Sequence, residues 1–142
     1  MPQFIMPKGD AVSEFNELDS FTQGYVEALF FTECHSDNPE LEEATFADLA
    51  PETLAMVIRD CQDFRSSLPR DNEGRTWLDL AYESPNGYSD NQAGVDFWLT
   101  RNRHGCGFWD RGLGQLGESL AWAAHGWGEV YVCRGDDGLI YV

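Results

Sequence analysis

The sequence predicts an α+β fold: a predominantly helical single domain closed by a C-terminal β-hairpin. Three stretches carry that reading. In PETLAMVIRDCQDFRSSL the apolar residues Leu54, Val57, Ile58, Cys61, Phe64 and Leu68 recur at the spacing of one helix face. LGQLGESLAWAAHG repeats that spacing with Leu113, Leu116, Leu120 and Ala124. The chain then ends in two strand-like runs, EVYVC and LIYV, joined by RGDDG, whose aspartates and glycines suit a hairpin turn over residues 129–142.

The remaining elements follow in order. Residues 1–12, with Pro2, Pro7 and Gly9, read as a flexible arm before a single globular domain over 13–142. A helix starts at Asp19 or Ser20, where Ser20 and Gln23 form a capping-box pattern, and Phe21, Tyr25, Ala28 and Leu29 carry it to about Glu33. SDNPELEE is an acidic loop. Thr45 and Asp48 are placed to cap one short turn, and Pro51 suits the first position of the next helix, which Pro69 ends. On that helix Glu52, Arg59, Asp60 and Asp63 occupy the face opposite the apolar stripe, a solvated surface. TWLDLAY suits a short strand or a helical turn equally, between the turn signals DNEG and SPNG. Ser89 or Asp90 then suits the cap of a helix that carries Val95, Trp98 and Leu99 inward and stops near Gly105, though Phe97, Trp98 and Leu99 suit a strand nearly as well. In the last helix Gly114 and Gly117 imply close packing, and Gly126 is placed as a left-handed stop.

With 142 residues, 42% hydrophobic and 13% aromatic, the chain can bury roughly two thirds of its unfolded surface around one core. It contains no apolar run of membrane-spanning length, and MPQFIMPKGD lacks the charged start, apolar core and small-residue cleavage site of a secretory signal. The chain is therefore expected to be soluble and intracellular. Cys34, Cys61, Cys106 and Cys133 are scattered without a CxxC, which fits reduced thiols better than a disulfide framework.

Charge is the most informative global property. The formal net charge is −16, from 25 Asp and Glu against nine Lys and Arg. Residues 1–63 hold 14 of those acids against Lys8 and Arg59 alone. Such a field disfavours direct contact with nucleic acid or anionic membrane and favours encounter with a basic protein surface.

Four constellations could carry chemistry. Cys34 with His35, and His104 with Cys106, offer metal-ligand types, but an adjacent Cys-His pair converges poorly on one ion, so no metal or cofactor is expected. Cys106, His104 and Asp110 supply the types of a nucleophilic triad, yet within one short loop they rarely form a working one. Arg101, Arg103, His104 and Arg111, with backbone freed by Gly105 and Gly107, could hold a phosphate or carboxylate; pairing with the chain's own surplus acids weighs more. Phe108 and Trp109 read as core plugs. Finally, Asp37, Glu40, Glu42, Glu43, Asp48, Glu52, Asp60 and Asp63 could imitate a phosphate row for a protein that grips DNA or RNA.

DFWLTRNRHGCGFWDRGLG, followed by an apolar helix and a hairpin ending GDDGLIYV, resembles small acidic phage and prophage proteins with the pattern DFWLTRNxHGxGFWDRG. FTQGYVEALFFTE and DLAPETLAMVIRDCQDF are similar too, so the resemblance spans much of residues 20–142. Cys106 falls at its variable position. The resemblance implies a phage context without an established reaction, and counter-defence factors form a large class of such proteins. The expectation is thus a non-enzymatic phage or prophage accessory protein in the bacterial cytoplasm. It would bind and inhibit a basic, nucleic-acid-handling host complex, such as a CRISPR or restriction effector. Two alternatives stand beside it: a small anion- or nucleotide-binding protein or enzyme using the Arg101–Arg111 loop, and a phage structural or assembly protein.

Overall fold

A computed structural model describes the chain over residues 9–34 and 39–142. Over these residues the order is α1 (Gly9–Glu17), α2 (Ser20–Glu33), α3 (Pro51–Ser67), α4 (Trp77–Tyr82), α5 (Asp90–Arg101), α6 (Gln115–His125), β1 (Cys133–Arg134) and β2 (Ile140–Tyr141). Short 3-10 turns lie at Phe46–Asp48 and Phe108–Asp110. The α+β class is thus as expected, mostly helical with a C-terminal two-stranded antiparallel hairpin.

Each start follows local chemistry. Asp19 caps α2 by accepting the Thr22 amide at 2.8 Å. The expected Ser20–Gln23 box does not form, because Gln23 instead donates back to the Phe15 and Leu18 carbonyls. Pro51 opens α3, and Ser89 caps α5 through the Gln92 amide. Thr76 and Asp79 form a reciprocal capping box that makes TWLDLAY a helix. Residues 9–12, expected to be part of the arm, belong to α1, whose Phe15 packs edge-on against Phe46.

Helix α5 is the centre of the molecule. Ala93, Asp96, Phe97, Trp98, Leu99, Thr100 and Arg101 are all buried, so it has no continuous solvent face. It crosses α2 at two glycines: a β-carbon on Gly94 would run into the Phe21 carbonyl, and one on Gly24 into the Asn91 carbonyl. Around that crossing Phe97 stacks on Phe64 of α3 with centroids 4.1 Å apart, and Trp98 meets Tyr25 of α2 edge-on at 5.2 Å. Each buried polar side chain among the described residues has a hydrogen-bond partner.

The chain departs from expectation at the end of α6 and in the hairpin. Gly126 keeps right-handed helical geometry (φ −64°), and the left-handed turn comes at Gly128 (φ 76°). The hairpin is shorter than residues 129–142, pairing only Cys133 with Tyr141 and Arg134 with Ile140. Val130 takes its partner from elsewhere, donating its amide to Asn102 Oδ1 at 2.9 Å. Ile140, fully buried, anchors the hairpin to the segment before α3, where the Ala50 amide donates to its carbonyl.

Candidate functional site

The acidic segment is built by alternation within one loop. Leu41 and Ala44 turn inward and are buried, which leaves Glu40, Glu42 and Glu43 exposed. The Ala44 amide closes the turn on the Leu41 carbonyl, and Glu43 is held at φ 122°. Arg134 of β1 lashes this loop to the hairpin, donating Nε to the Glu40 carbonyl at 2.8 Å and Nη1 to the Gly138 carbonyl at 2.6 Å. Pro39, the three glutamates and Arg134 line an open cleft of about 430 Å³.

Glu52, exposed in the first turn of α3, lies beside Tyr141 of the hairpin. Its carboxylate is near enough to the Tyr141 phenol to help push it up to about 12, behind the larger effect of the Tyr141 hydrogen bond to Asp137 at 2.6 Å. That bond, with the Leu139 amide, holds the Asp137 carboxyl below the usual range. The hairpin therefore adds exposed Asp136 and Asp137 to the acidic face, two residues that sequence reasoning assigned only to a turn. Asp63 is also exposed, about 16 Å farther along the same face of α3.

Three of the predicted acids stand apart. Asp48 is half-buried and caps the 3-10 turn, its Oδ2 accepting the Thr45 amide at 2.9 Å. Asp60 is a correction: it is 9% exposed, turned into the interior, with Oδ2 3.1 Å from Nη1 of Arg101. The wide buried side of α3 includes Asp60 because a guanidinium waits there. Asp37 and His35 lie outside the described residues.

The Arg101–Arg111 loop does not gather its cations. Arg101 is 4% exposed and uses four of its five N–H donors: Nε donates to the Gly128 carbonyl, Nη2 to the Trp127 carbonyl, and Nη1 to Asp60 and the Tyr25 hydroxyl. Burial pushes the Tyr25 phenol well above its ordinary range, though the positive charge of Arg101 opposes it. Arg111 grips fully buried Asp96, with Nε 3.0 and 3.1 Å from the two carboxylate oxygens and Nη2 2.7 Å from Oδ1. The Tyr88 hydroxyl and the Gln92 amide complete the shell of Asp96. That carboxylate holds the Arg111 guanidinium above its usual pKa. Arg103 is exposed near Glu129 at 3.7 Å.

The backbone explains why they diverge. Helix α5 ends in a Schellman turn, with the His104 amide on the Leu99 carbonyl, and Arg103 occupies its left-handed position at φ 58°. Gly107 then passes so close to the Thr100 hydroxyl that a β-carbon would collide with it, and the Phe108 amide donates to that hydroxyl. Asp110 closes the turn on the Gly107 amide. Phe108 is fully buried as expected, but Trp109 is a correction: it is 41% exposed beside His125 rather than in the core.

All four cysteines are free thiols. Desolvation raises Cys61 to about 12 and Cys34 to about 11, whereas Cys106 and Cys133 are exposed. Among the described residues no group of three or more His, Cys, Asp or Glu is placed to hold a metal ion, and no helix is long and apolar enough to cross a membrane. The chain matches no protein-family model, no curated protein and no solved structure.

Proposed function

We propose that the chain is an acidic phage or prophage accessory protein that binds a basic surface on a host nucleic-acid-handling complex and inhibits it, as an anti-CRISPR or anti-restriction factor would. The binding face comprises Glu40, Glu42 and Glu43 with Glu52, Asp63, Asp136 and Asp137. What supports this reading is the distribution of charge. All eight arginines are held by partners within the chain. Glu40, Glu42 and Glu43, by contrast, form no ion pair among the described residues. A negative field that the protein's own cations leave open steers encounter with a positive partner and falls off with salt.

Capture from a bacterial lysate at low and high ionic strength tests it. The proposal expects a basic nucleic-acid-binding protein to be retained at low salt and displaced by added salt or by competing DNA or RNA. Retention insensitive to both would overturn it.

Assembly into a larger structure is a second reading, favoured by three large side chains in water: Phe31 at 81% exposure, Tyr131 at 79% and Trp122 at 75%. Light scattering across concentration checks it, since a monomer at every concentration removes this reading.

A further inference from the structure

A second cleft, of about 410 Å³, opens between the C-terminal half of α3, the turn that follows it, α4 and the first residue of α5. Its size is that of a small-molecule site. Arg65 and Arg70 contribute from α3 and the turn, Asp79, Tyr82 and Asp90 from α4 and α5. The four charges are fixed in place by bonds that leave part of each group open. Arg65 donates Nε to the Cys61 carbonyl and Nη2 to Asp19, with its guanidinium 4.6 Å over the Phe21 ring. Arg70 donates Nη1 to the Gly74 carbonyl. Asp79 accepts the Thr76 amide on Oδ2, and Asp90 accepts the Tyr82 hydroxyl on Oδ1 at 2.7 Å. Nη1 of Arg65, Nε and Nη2 of Arg70, Oδ1 of Asp79 and Oδ2 of Asp90 have no partner among the described residues.

The opposite charges do not pair across the gap. Neither arginine comes within ion-pair distance of Asp79 or Asp90. Arg65 pairs instead with Asp19, at 2.9 Å and outside the cleft lining, and Arg70 has no carboxylate partner among the described residues. A plain anion in this cleft would face two carboxylates and a plain cation two guanidiniums, so neither is complementary to it. A dipolar molecule is, and the half-buried Tyr82 ring in the lining gives it an apolar surface.

We propose that this cleft binds a small zwitterion of the α-amino-acid class, its carboxylate toward Arg65 and Arg70 and its ammonium toward Asp79 and Asp90. The full chain is titrated with each of the common L-α-amino acids at millimolar concentration, followed by thermal denaturation and by amide NMR shifts. At least one raises the melting temperature in a concentration-dependent way and perturbs the amides of Ser66, Arg70 and Tyr82. Its N-acetyl and carboxamide derivatives, and the variants Arg70→Ala and Asp90→Asn, each weaken binding about tenfold or more, the scale of one charge-assisted hydrogen bond. Should Asp90→Asn fail to fold, Arg70→Ala on the exposed turn decides. No response to any amino acid, equal binding of the blocked derivatives, or perturbation confined to another region overturns the proposal.

Discussion

Nη1 of Arg101 lies 3.1 Å from Oδ2 of Asp60, joining the last turn of α5 to the middle of α3 inside the protein. The same guanidinium reaches α2 through Tyr25 and the chain after α6 through two carbonyls, so one side chain ties four segments together. Removing its carboxylate leaves a buried charge uncompensated. Asp60→Ala should cost about 3 kcal/mol or more. Arg101→Met made alongside should recover part of that loss, which urea denaturation of the single and double variants checks.

The α2–α5 crossing tolerates nothing larger than glycine. Gly94→Ala drives a methyl into the Phe21 carbonyl, a backbone atom that moves only if the helices separate. The expected loss is about 2 kcal/mol or more, read from the same denaturation curves. Ala at Gly105, with open space around it, should be close to neutral by comparison.

Arg103 sits in a left-handed conformation that favours glycine, at the turn ending α5. Arg103→Gly should therefore stabilise the fold, by up to about 1 kcal/mol after the weak contact with Glu129 is lost. A lower unfolding midpoint in the variant would show that Arg103 contributes more to the folded state than its backbone strain costs.

Asp19 links stability to pH. Partial burial raises its carboxyl, but the Thr22 amide and the Arg65 guanidinium outweigh that and hold it below the ordinary aspartate value. Its contribution is present above the unfolded-state pKa and is lost as pH falls through the lower folded-state value. Asp19→Asn keeps a competent cap and removes the charge. The variant should unfold more easily at neutral pH and show a shallower loss of stability on acidification than wild type.

The helices and hairpin were legible where a signal is local. The stripe from Leu54 to Leu68, Pro51 at a helix start and Ser89 at another are properties of short windows, and the fold follows them. What the sequence hides is partnership at a distance. Asp60 reads as solvent-facing by position on its helix, and only Arg101, 41 residues away, explains its burial. Asp136 and Asp137 join the acidic face because Arg134 reaches Glu40 across 94 residues. For the Arg101–Arg111 stretch, composition favours pairing with the chain's own acids over an anion site, but only the fold supplies the identity of those partners, Asp60 and Asp96. The cleft between α3 and α4 is invisible in sequence order because Arg65, Arg70, Asp79 and Asp90 form no motif there.

Charge reversal on the acidic loop tests the central proposal most directly. The variant carrying Glu40→Lys, Glu42→Lys and Glu43→Lys alters exposed side chains only, so its circular dichroism and unfolding midpoint should stay close to wild type. Binding to the basic partner captured by the wild-type chain is then measured for both proteins over a range of salt. The account predicts that the folded variant loses that binding. A folded variant that still captures the same partner with the same salt dependence would contradict it.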